Sequence, residues 1–374
     1  MNKILYIATS DVHLATFHTP YLKWLGENGV QVDIVVENRG NLEFEGVNNT
    51  YHLDFPRSFT KKELLVSYKK LKNIIDNGNY NIIHCHTPIP SMLTRLAASK
   101  ARANGAKVLY TAHGFHFYKG APASRWLVYY SAEYILSKFT DAIITINKED
   151  YGYVNNKMLH KDSYHIKGIG VDSSRFKPLN KEEKREKRIE LGLDPDKFVL
   201  LYVAEFISRK NHEFVIRSIQ SLQKTIPNLQ VLFAGKGELL DKMKQLSKEL
   251  EVDSSIKFLG FRKDVHLLSA IADIGISSSK HEGLGLGLTE EMFCKVPIIA
   301  SYDRGHKEMV VQGENGYMFQ QGNSEEFIGY VNTLYQDEEL RLKMGEKAYE
   351  KAQEFEIENS LNSMKEIYKR YLIS

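Results

Sequence analysis

The sequence predicts an α/β protein with two doubly wound domains that face each other across a cleft. Short apolar runs alternate with longer amphipathic stretches along the chain, which is typical of strands joined by crossover helices into a parallel sheet. The length of 374 residues suggests two domains. Between residues 166 and 178 (IKGIGVDSSRFKP), Gly168, Gly170 and Pro178 indicate a linker between the two series.

The first series starts with a strand at the N-terminus. Its predicted strands are residues 4–8, 32–36, 82–85, 107–111 and 142–146. Its predicted helices are residues 16–28, 64–75, 90–103 and 124–138. Asn147, with Asp150 three residues later, indicates the N-cap of one more helix.

The second series repeats the pattern after a charged helix at residues 181–191. Its predicted strands are residues 198–203, 230–233, 256–259, 274–277 and 298–300. Its predicted helices are residues 212–224, 239–250, 264–270, 324–354 and 358–372. In such sheets ligands gather at the carboxyl ends of the strands, so the loops there are the places to search for chemistry.

Composition and short motifs exclude several classes. A hydrophobic content of 43% and a charged content of 26% are ordinary for a soluble globular protein. Cys85 and Cys294 are far apart, so neither a disulfide framework nor a zinc motif is predicted. The N-terminus does not read as a signal peptide, and no apolar run approaches the ~20 residues that span a bilayer, so we expect a cytoplasmic protein. The first strand lacks a following G-x-G-x-x-G, Walker A is absent, and Asp194-Pro195-Asp196 reads as a turn rather than a metal-binding motif.

The charge is uneven along the chain. Residues 1–170 carry 20 Lys+Arg against 14 Asp+Glu, and the remainder carries 30 against 33. The basic excess is concentrated in one stretch with interleaved apolar residues: Arg57, Lys61, Lys62, Lys69, Lys70 and Lys72. This pattern fits an amphipathic helix for an anionic membrane surface, and it also fits a solvated helix face. We expect no nucleic-acid partner.

The stretch from Glu282 to Glu290 (EGLGLGLTE) is the strongest indication of a ligand site. Its three glycines allow close backbone approach, and it leads into a predicted helix, whose free N–H groups favour an anion. Two carboxylates around such amides predict a cradle for a sugar joined to a diphosphate. A buried glycine-rich loop with acids at a helix start would have the same sequence.

Histidines follow two strands of the first domain. His113 precedes Gly114 and could place an imidazole and a backbone carbonyl beside a sugar, while His116 and Lys119 could meet an anionic acceptor. His84 and His86 should lie on one face of their strand. No third ligand has supportive spacing, so we expect no metal site.

Three strand-end loops of the second domain carry further polar groups. Arg209 and Lys210 suit a diphosphate. The Arg209 guanidinium can bind a phosphate through two N–H groups, and the Lys210 ammonium provides a compact positive charge. The loops with Gly235 and with Gly260 and Arg262 follow the next two strands, where they could read a nucleobase edge.

These motifs together resemble the retaining family-4 glycosyltransferases of the GT-B fold, especially the bacterial branch that builds capsular polysaccharides and exopolysaccharides. HCHTP, YTAHGFHFYKGAP, ITINKEDY, GIGVD, the E-x7-E stretch and NGYMF occur in the family's order over nearly the whole chain. The resemblance implies an acceptor-side domain at residues 1–168 and a nucleotide-sugar domain at 169–355. It also implies that residues 356–374 form a helix that packs back on the first domain.

The resemblance also implies residue roles. Glu282 would contact the donor-sugar hydroxyls and Glu290 the ribose, with Lys210 on the diphosphate, Arg209 as its helper and His113 lining the sugar. The remaining implied donor-site residues are Gly283, Gly285, Leu286, Gly287, Gly235, Gly260 and Arg262. The implied acceptor-side residues are Ser10, His13, His86, His116 and Lys119.

The chain departs from its relatives at several positions. Glu205 stands where many of them carry an arginine, and the first loop lacks a glycine pair. Glu291 and Phe293 replace small residues, and Lys295 replaces a common glycine.

The expected activity is metal-independent transfer of a hexose or N-acetylhexosamine from a UDP-sugar, with retention. The expected acceptor is a lipid-diphosphate-linked saccharide at the inner membrane face, and no cofactor is expected beyond the donor. An isomerase resembling UDP-N-acetylglucosamine 2-epimerase would instead use His113, His116 and Asp11 near C2 of the sugar. A nucleotide-sugar sensor without turnover is a third alternative. A glycoside hydrolase fits less well, because its carboxylates flank the scissile bond.

Overall fold

The computed structural model describes residues 2–56 and 61–372, with Lys61 described by its backbone alone. Arg57 and the side chain of Lys61, both part of the predicted cationic stretch, therefore lie outside the described residues. Contacts define two compact units. Unit 1 is Met1–Gly170 with Glu358–Ser374, and unit 2 is Val171–Ile357.

Unit 1 is built on one sheet of seven strands, and all of its pairings are parallel. The strands are β1 (Lys3–Ser10), β2 (Gln31–Glu37), β3 (Asn49–His52), β4 (Ile82–His86), β5 (Lys107–Ala112), β6 (Ala142–Thr145) and β7 (Asp162–His165). Their order across the sheet is β3-β2-β1-β4-β5-β6-β7. The central strands are buried along almost their whole length, as expected for a sheet covered on both faces. The strand order reverses between β1 and β4, so this is the point where ligand groups should collect.

The helices of unit 1 are more broken than predicted. They are α1 (Asp11–Phe17), α2 (Thr19–Glu27), α3 (Lys61–Gly78), α4 (Pro88–Ala97), α5 (Ser99–Ala103), α6 (Ala123–Arg125), α7 (Ser131–Ser137) and α8 (Lys148–Lys157), with a π-helical turn at Trp126–Tyr130. The predicted helix at residues 16–28 is interrupted at His18. Pro20 lies in the first turn of α2, where its missing N–H is tolerated. Asn147 caps α8 as predicted, accepting from the Asp150 N–H at 2.8 Å.

Unit 2 contains a six-stranded parallel sheet. Its strands are β8 (Phe198–Val203), β9 (Leu229–Ala234), β10 (Ile256–Gly260), β11 (Ile274–Ser277), β12 (Ile298–Ser301) and β13 (Gly316–Phe319), in the order β10-β9-β8-β11-β12-β13. Its helices are α9 (Lys181–Glu190), α10 (His212–Thr225), α11 (Leu240–Glu249), α12 (Val265–Ile271), α13 (Leu286–Phe293), α14 (His306–Met309), α15 (Ser324–Gln336) and α16 (Glu338–Ala352). The order reverses between β8 and β11. Asp337 divides the long helix predicted at residues 324–354, because its side chain caps α16 by accepting from the Leu340 N–H at 2.9 Å.

The last helix, α17 (Ile357–Tyr371), joins unit 1 from Glu358 onward. Its Tyr368 is buried and lies 2.7 Å from His84 Nδ1 on β4. Each unit has its own apolar core. The predicted α/β class with two doubly wound parallel sheets is confirmed, although β3, β7 and β13 were not predicted. Among the described residues, no helix is both long enough and apolar enough to cross a bilayer.

Candidate functional site

In unit 2, two loops meet where the strand order reverses. The loop after β8 contains Arg209 and Lys210 in a short 3₁₀ helix, and the loop after β11 leads through Glu282 to α13. Tyr202 Oη donates to the Lys210 carbonyl at 2.6 Å, and Ser278 Oγ donates to the Asn211 carbonyl at 2.8 Å. These bonds tie the cationic loop to the start of the glycine-rich loop.

Glu282 binds both predicted cations. Its Oε1 is 2.5 Å from Lys210 Nζ, and its Oε2 is 2.6 Å from Arg209 Nη1. Burial by itself would raise the pKa of Glu282, but the charges of Lys210 and Arg209 outweigh it and lower the pKa to about 2. Glu282 is therefore ionised at any physiological pH, and the three side chains form one charged group.

The backbone at Glu282 is held by residues that the sequence analysis missed. Asp303 Oδ1 accepts from the Glu282 N–H at 2.9 Å and from the Gly305 N–H at 2.8 Å. Gly305 packs closely against the glycine-rich loop, because a Cβ on Gly305 would be only 2.8 Å from the Leu284 carbonyl oxygen. No sequence signal distinguishes Asp303 and Gly305 from an ordinary turn, because their role depends on a loop about twenty residues earlier.

The glycine-rich loop turns into α13 at Gly285. This residue has φ +111°, and a Cβ on it would be 2.9 Å from Met309 Cε, so both conformation and space require glycine. The N-cap residue Gly285 makes no side-chain cap, and the Leu288 N–H donates to the Gly285 carbonyl at 3.0 Å. The N–H groups of Leu286 and Gly287 at the start of α13 are therefore the ones suited to an anion. Gly283 precedes this turn, and Leu286 and Gly287 begin the helix.

Glu290 lies one turn into α13. Burial raises its pKa to about 7, partly offset by the charge of Arg175. Its neighbour Glu291 is fully buried, and its pKa is raised well above the usual value by burial and then by the Glu290 charge. Glu291 Oε2 packs against Gly275: a Cβ on Gly275 would be only 1.8 Å from this oxygen.

The other predicted donor-site residues follow β9 and β10. The Gly235 N–H donates to the Gly260 carbonyl at 2.8 Å, and a Cβ on Gly235 would be 1.9 Å from the Ala204 carbonyl oxygen. Arg262 is held by Asp264, with Nε 2.7 Å from Oδ1. The loops after β9 and β10 are thus hydrogen-bonded to each other through Gly235 and Gly260. The Arg262 guanidinium forms an ion pair with Asp264 in the same loop. Glu205, at the position where the family resemblance leads us to expect an arginine, has an exposed side chain.

In unit 1, five histidine rings collect at the ends of β1, β4 and β5. The ring centroids of His84 and His86 are 4.1 Å apart, which confirms that both lie on one face of β4. His86 Nδ1 is 3.3 Å from His113 Nε2, and the His18 ring centroid is 4.3 Å from that of His86. His13 lies 5.3 Å from His113 between centroids. We call His13, His18, His84, His86 and His113 the histidine cluster.

The histidine cluster is electrically neutral at physiological pH. Burial lowers the pKa of His13 to about 4 and that of His84 to about 3. Burial, followed by the charges of neighbouring histidines, holds the pKa values of His18, His86 and His113 well below the usual range. Neutral imidazoles can hydrogen-bond sugar hydroxyls or ligate a metal ion.

The structure brings three of the predicted unit 1 residues, His13, His86 and His113, into this cluster. Ser10 instead caps α1, where its Oγ accepts from the His13 N–H at 3.2 Å. His116 and Lys119 are exposed on the loop after β5, with the His116 ring 4.8 Å from Tyr129. Sequence reasoning missed His18, because no periodic spacing relates it to the other histidines.

Metal ligation by His84 and His86 as a pair does not fit. Both ring nitrogens of His84 are engaged, Nδ1 with Tyr368 Oη at 2.7 Å and Nε2 with Thr111 Oγ1 at 2.8 Å. Among the described residues, His13, His18 and His113 form a group in which one ring nitrogen from each lies within 4.8 Å of the other two.

Comparison with known proteins identifies the family. Residues 183–351 match the model "Glycosyl transferases group 1", and residues 3–147 match "Glycosyl transferase 4-like". EpsD of Bacillus subtilis (strain 168), which is named as a glycosyltransferase, is 39% identical over 99% of this chain and 97% of its own length. The chain belongs to this family of glycosyltransferases. The resemblance to the family-4 enzymes, and to their branch for capsular polysaccharides and exopolysaccharides, is confirmed.

Two further comparisons extend the assignment. An Escherichia coli UDP-Gal:alpha-D-GlcNAc-diphosphoundecaprenol alpha-1,3-galactosyltransferase is 27% identical over 82% of this chain and 79% of its own length. The crystal structure of Anabaena HepE in complex with UDP-glucose covers 99% of this chain and 100% of its own, with a TM-score of 0.81 and 19% identity. The GT-B fold predicted from the motifs is therefore confirmed. The predicted glycosyltransferase activity is confirmed as well, over the alternative of an epimerase-like isomerase.

Proposed function

We propose that this glycosyltransferase moves a hexose or N-acetylhexosamine from a UDP-sugar to a lipid-diphosphate-linked saccharide, with retention at the anomeric carbon and without a metal ion or further cofactor. The observation that carries the proposal is the convergence of Arg209 and Lys210 on Glu282 at the reversal point of unit 2. Two fixed cations beside an uncapped helix start are suited to a diphosphate, and the carboxylate between them is suited to sugar hydroxyls.

The proposed chemistry places charge stabilisation in unit 2. The bond between the anomeric carbon and the diphosphate oxygen breaks, a bond to the acceptor oxygen forms, and the acceptor proton passes to the departing diphosphate. Lys210, Arg209 and the first-turn amides of α13 stabilise the negative charge that develops on the leaving group. Glu282 orients the sugar, and Glu290 accepts from the ribose.

The relatives support the donor and acceptor classes. The name of the E. coli relative specifies a UDP-sugar donor and a diphosphoundecaprenol-linked acceptor, and HepE was crystallised with UDP-glucose. The cations of this chain take the place of a metal ion in neutralising the diphosphate. The exposed face of α3 fits the location of a lipid-linked acceptor, because Leu65 and Val66 are 57% and 48% exposed and lie near Lys62, Lys69 and Lys70.

The deciding experiment is a transfer assay with a panel of UDP-sugars and lipid-linked saccharide acceptors, repeated with EDTA present. We expect turnover with one donor, retention in the product by NMR, and no loss with EDTA. Glu282→Ala and Lys210→Ala should abolish most turnover, whereas Lys257→Ala, which removes an exposed lysine on β10, should not. Unchanged turnover in both site variants would contradict the site assignment, and inversion would contradict the mechanism.

Membrane association has a separate test by sedimentation with vesicles. The protein should bind vesicles that contain anionic lipid and not neutral ones, with binding reduced at high salt. Lys69→Glu with Lys70→Glu should release it, while Lys257→Glu with Lys242→Glu provides an equal charge change on unit 2. Equal binding to neutral vesicles, or no effect of the α3 substitutions, would refute the α3 surface.

A further inference from the structure

Three members of the histidine cluster form a nearly regular triangle. The ring centroids of His13, His18 and His113 are 5.3 Å apart along all three sides. One side-chain nitrogen from each lies within 4.8 Å of the other two. With Zn–N bonds of about 2.0–2.1 Å, imidazoles in tetrahedral coordination have centroids about 5 Å apart and nitrogens about 3.4 Å apart. Small ring rotations would therefore close the triangle around an ion.

Two of these rings have a buried nitrogen that the protein itself leaves without a partner. Among the described residues, His13 Nε2 and His18 Nε2 have no hydrogen-bond partner, and both atoms are buried. A buried polar atom without a partner destabilises the fold unless something satisfies it. Asp11, the acid nearest in sequence, is occupied elsewhere, because its carboxylate accepts from the backbone of Arg39, Gly40 and Leu42.

The opposite sides of two rings are already oriented by neighbours. His18 Nδ1 is 2.9 Å from Tyr6 Oη, and His113 Nε2 is 3.3 Å from His86 Nδ1. Protein metal sites usually have such outer partners, because a hydrogen bond from the second ring nitrogen sets the tautomer and aims the first. Here they would direct His18 Nε2 and His113 Nδ1 inward.

We propose that His13, His18 and His113 bind one Zn²⁺ ion, or a similar imidazole-preferring transition-metal ion, with a fourth coordination position left open. Three neutral imidazoles suit zinc, cobalt, nickel and copper, and are poor ligands for Mg²⁺ or Ca²⁺, which prefer oxygen. The ion would join the α1–α2 junction to the end of β5. The ion takes no part in the charge stabilisation proposed for unit 2, so failure of either proposal leaves the other standing.

The first test titrates the dialysed full-length protein, without an affinity tag, with Co²⁺ and follows visible absorption. We expect saturation at one Co²⁺ per chain, with the intense bands of four-coordinate cobalt, and displacement by Zn²⁺ in competition with a chromophoric chelator. Zinc should also raise the midpoint of thermal unfolding. A weak six-coordinate spectrum, or affinity only in the millimolar range, would overturn the proposal.

Variants then locate the ion. His13→Gln and His18→Gln should each weaken binding by more than the ten- to hundredfold typical of losing an outer partner, and Tyr6→Phe should fall within that range. His84→Gln is the matched control inside the cluster, since both of its nitrogens are engaged, and His52→Gln is a surface control. Circular dichroism checks folding. Unchanged affinity in both ligand variants, or an equal loss in folded His84→Gln, would refute the assignment.

Discussion

The two reversal points of this glycosyltransferase share a backbone plan and differ in electrostatics. In unit 2, the ends of β8 and β11 bring together two cations and a carboxylate whose pKa those cations lower to about 2. In unit 1, the ends of β1, β4 and β5 bring together five imidazoles that burial keeps neutral. The region in unit 2 contains ionised groups that are stabilised by ion pairs. The region in unit 1 contains buried polar groups that are uncharged.

The difference indicates what each region is suited to bind. Two cations that are already held in position can bind the charges of a diphosphate without further rearrangement. Neutral imidazoles hold no fixed charge, so they suit hydroxyl groups or a metal ion rather than a phosphate. The two sheets thus have the same doubly wound plan, and the residues at their strand ends make one suited to an anion and the other to an uncharged group or a metal ion.

The largest expected effect tests the charged region. Lys210→Met should lower kcat by about 10²- to 10³-fold, the usual cost of removing one group that stabilises a developing negative charge. A double Arg209→Met, Lys210→Met variant should lose much less than the product of the single losses, because the pair acts as one group. Steady-state kinetics checks both, with Lys257→Met as the control. Full additivity would mean that the two cations act independently.

The next effect tests the neutral region through its stability. Tyr368→Phe removes the hydroxyl beside His84 Nδ1 and leaves that buried nitrogen unpaired, which should cost about 1–3 kcal/mol of unfolding free energy. Tyr371→Phe, on the same helix but bonded to Asp162 at the surface, should cost about 0.5 kcal/mol. Urea denaturation compares the two. An equal loss of unfolding free energy in both variants would show that the buried hydrogen bond to His84 stabilises the protein no more than a surface hydrogen bond does.

A smaller effect depends on Glu290. With a pKa of about 7, its carboxyl is about one-tenth ionised at pH 6 and nine-tenths ionised at pH 8. If the carboxylate accepts from the ribose, affinity for UDP-glucose should rise about ninefold over this range, and Glu290→Gln should flatten the profile. Because the folded pKa lies above the unfolded value, stability should also fall as pH rises from about 4.5 through about 7. Calorimetry at several pH values measures the affinity, and a flat wild-type profile would contradict this role.

The smallest effect tests a departure from the relatives. Lys295 has φ +59°, the left-handed conformation that glycine adopts most easily. Lys295→Gly should therefore stabilise the protein by about 0.5–1 kcal/mol, since the exposed ion pair with Glu346 contributes little. Lys295→Ala keeps the backbone strain and should give no gain. Chemical denaturation separates these outcomes, and equal stability of both variants would show that this position carries no strain.

Most of the fold could be predicted because its strands are continuous apolar runs with turn residues between them, as in residues 4–8 and 298–300. Two of the three missed strands lacked that signal. Asn49–His52 is mostly exposed and polar, and Asp162–His165 has no fully buried residue. Helix breaks were missed for a different reason. They depend on single caps such as Asp337, whose effect a periodic pattern averages away.

The charged loops of unit 2 were predicted, whereas the histidine cluster of unit 1 was predicted only in part. Glu282, Arg209 and Lys210 were found because each follows a strand, and adjacent strand ends share one edge of a sheet. Asp303, Gly305 and His18 were missed because their roles rest on contacts between loops, which no local spacing encodes. The residue-by-residue roles stay predictions until the variants are measured.

The sequence by itself determined the doubly wound class, the family and the position of the charged loop, because these follow from periodicity and motif order along the chain. Only the tertiary structure decided the ionisation of each group. Burial and charge from distant segments leave Glu282 ionised, raise the pKa of Glu290 to about 7 and keep the histidines neutral. Solvation and Coulomb interactions depend on distance in space, and the triangle of His13, His18 and His113 exists only after the chain has folded.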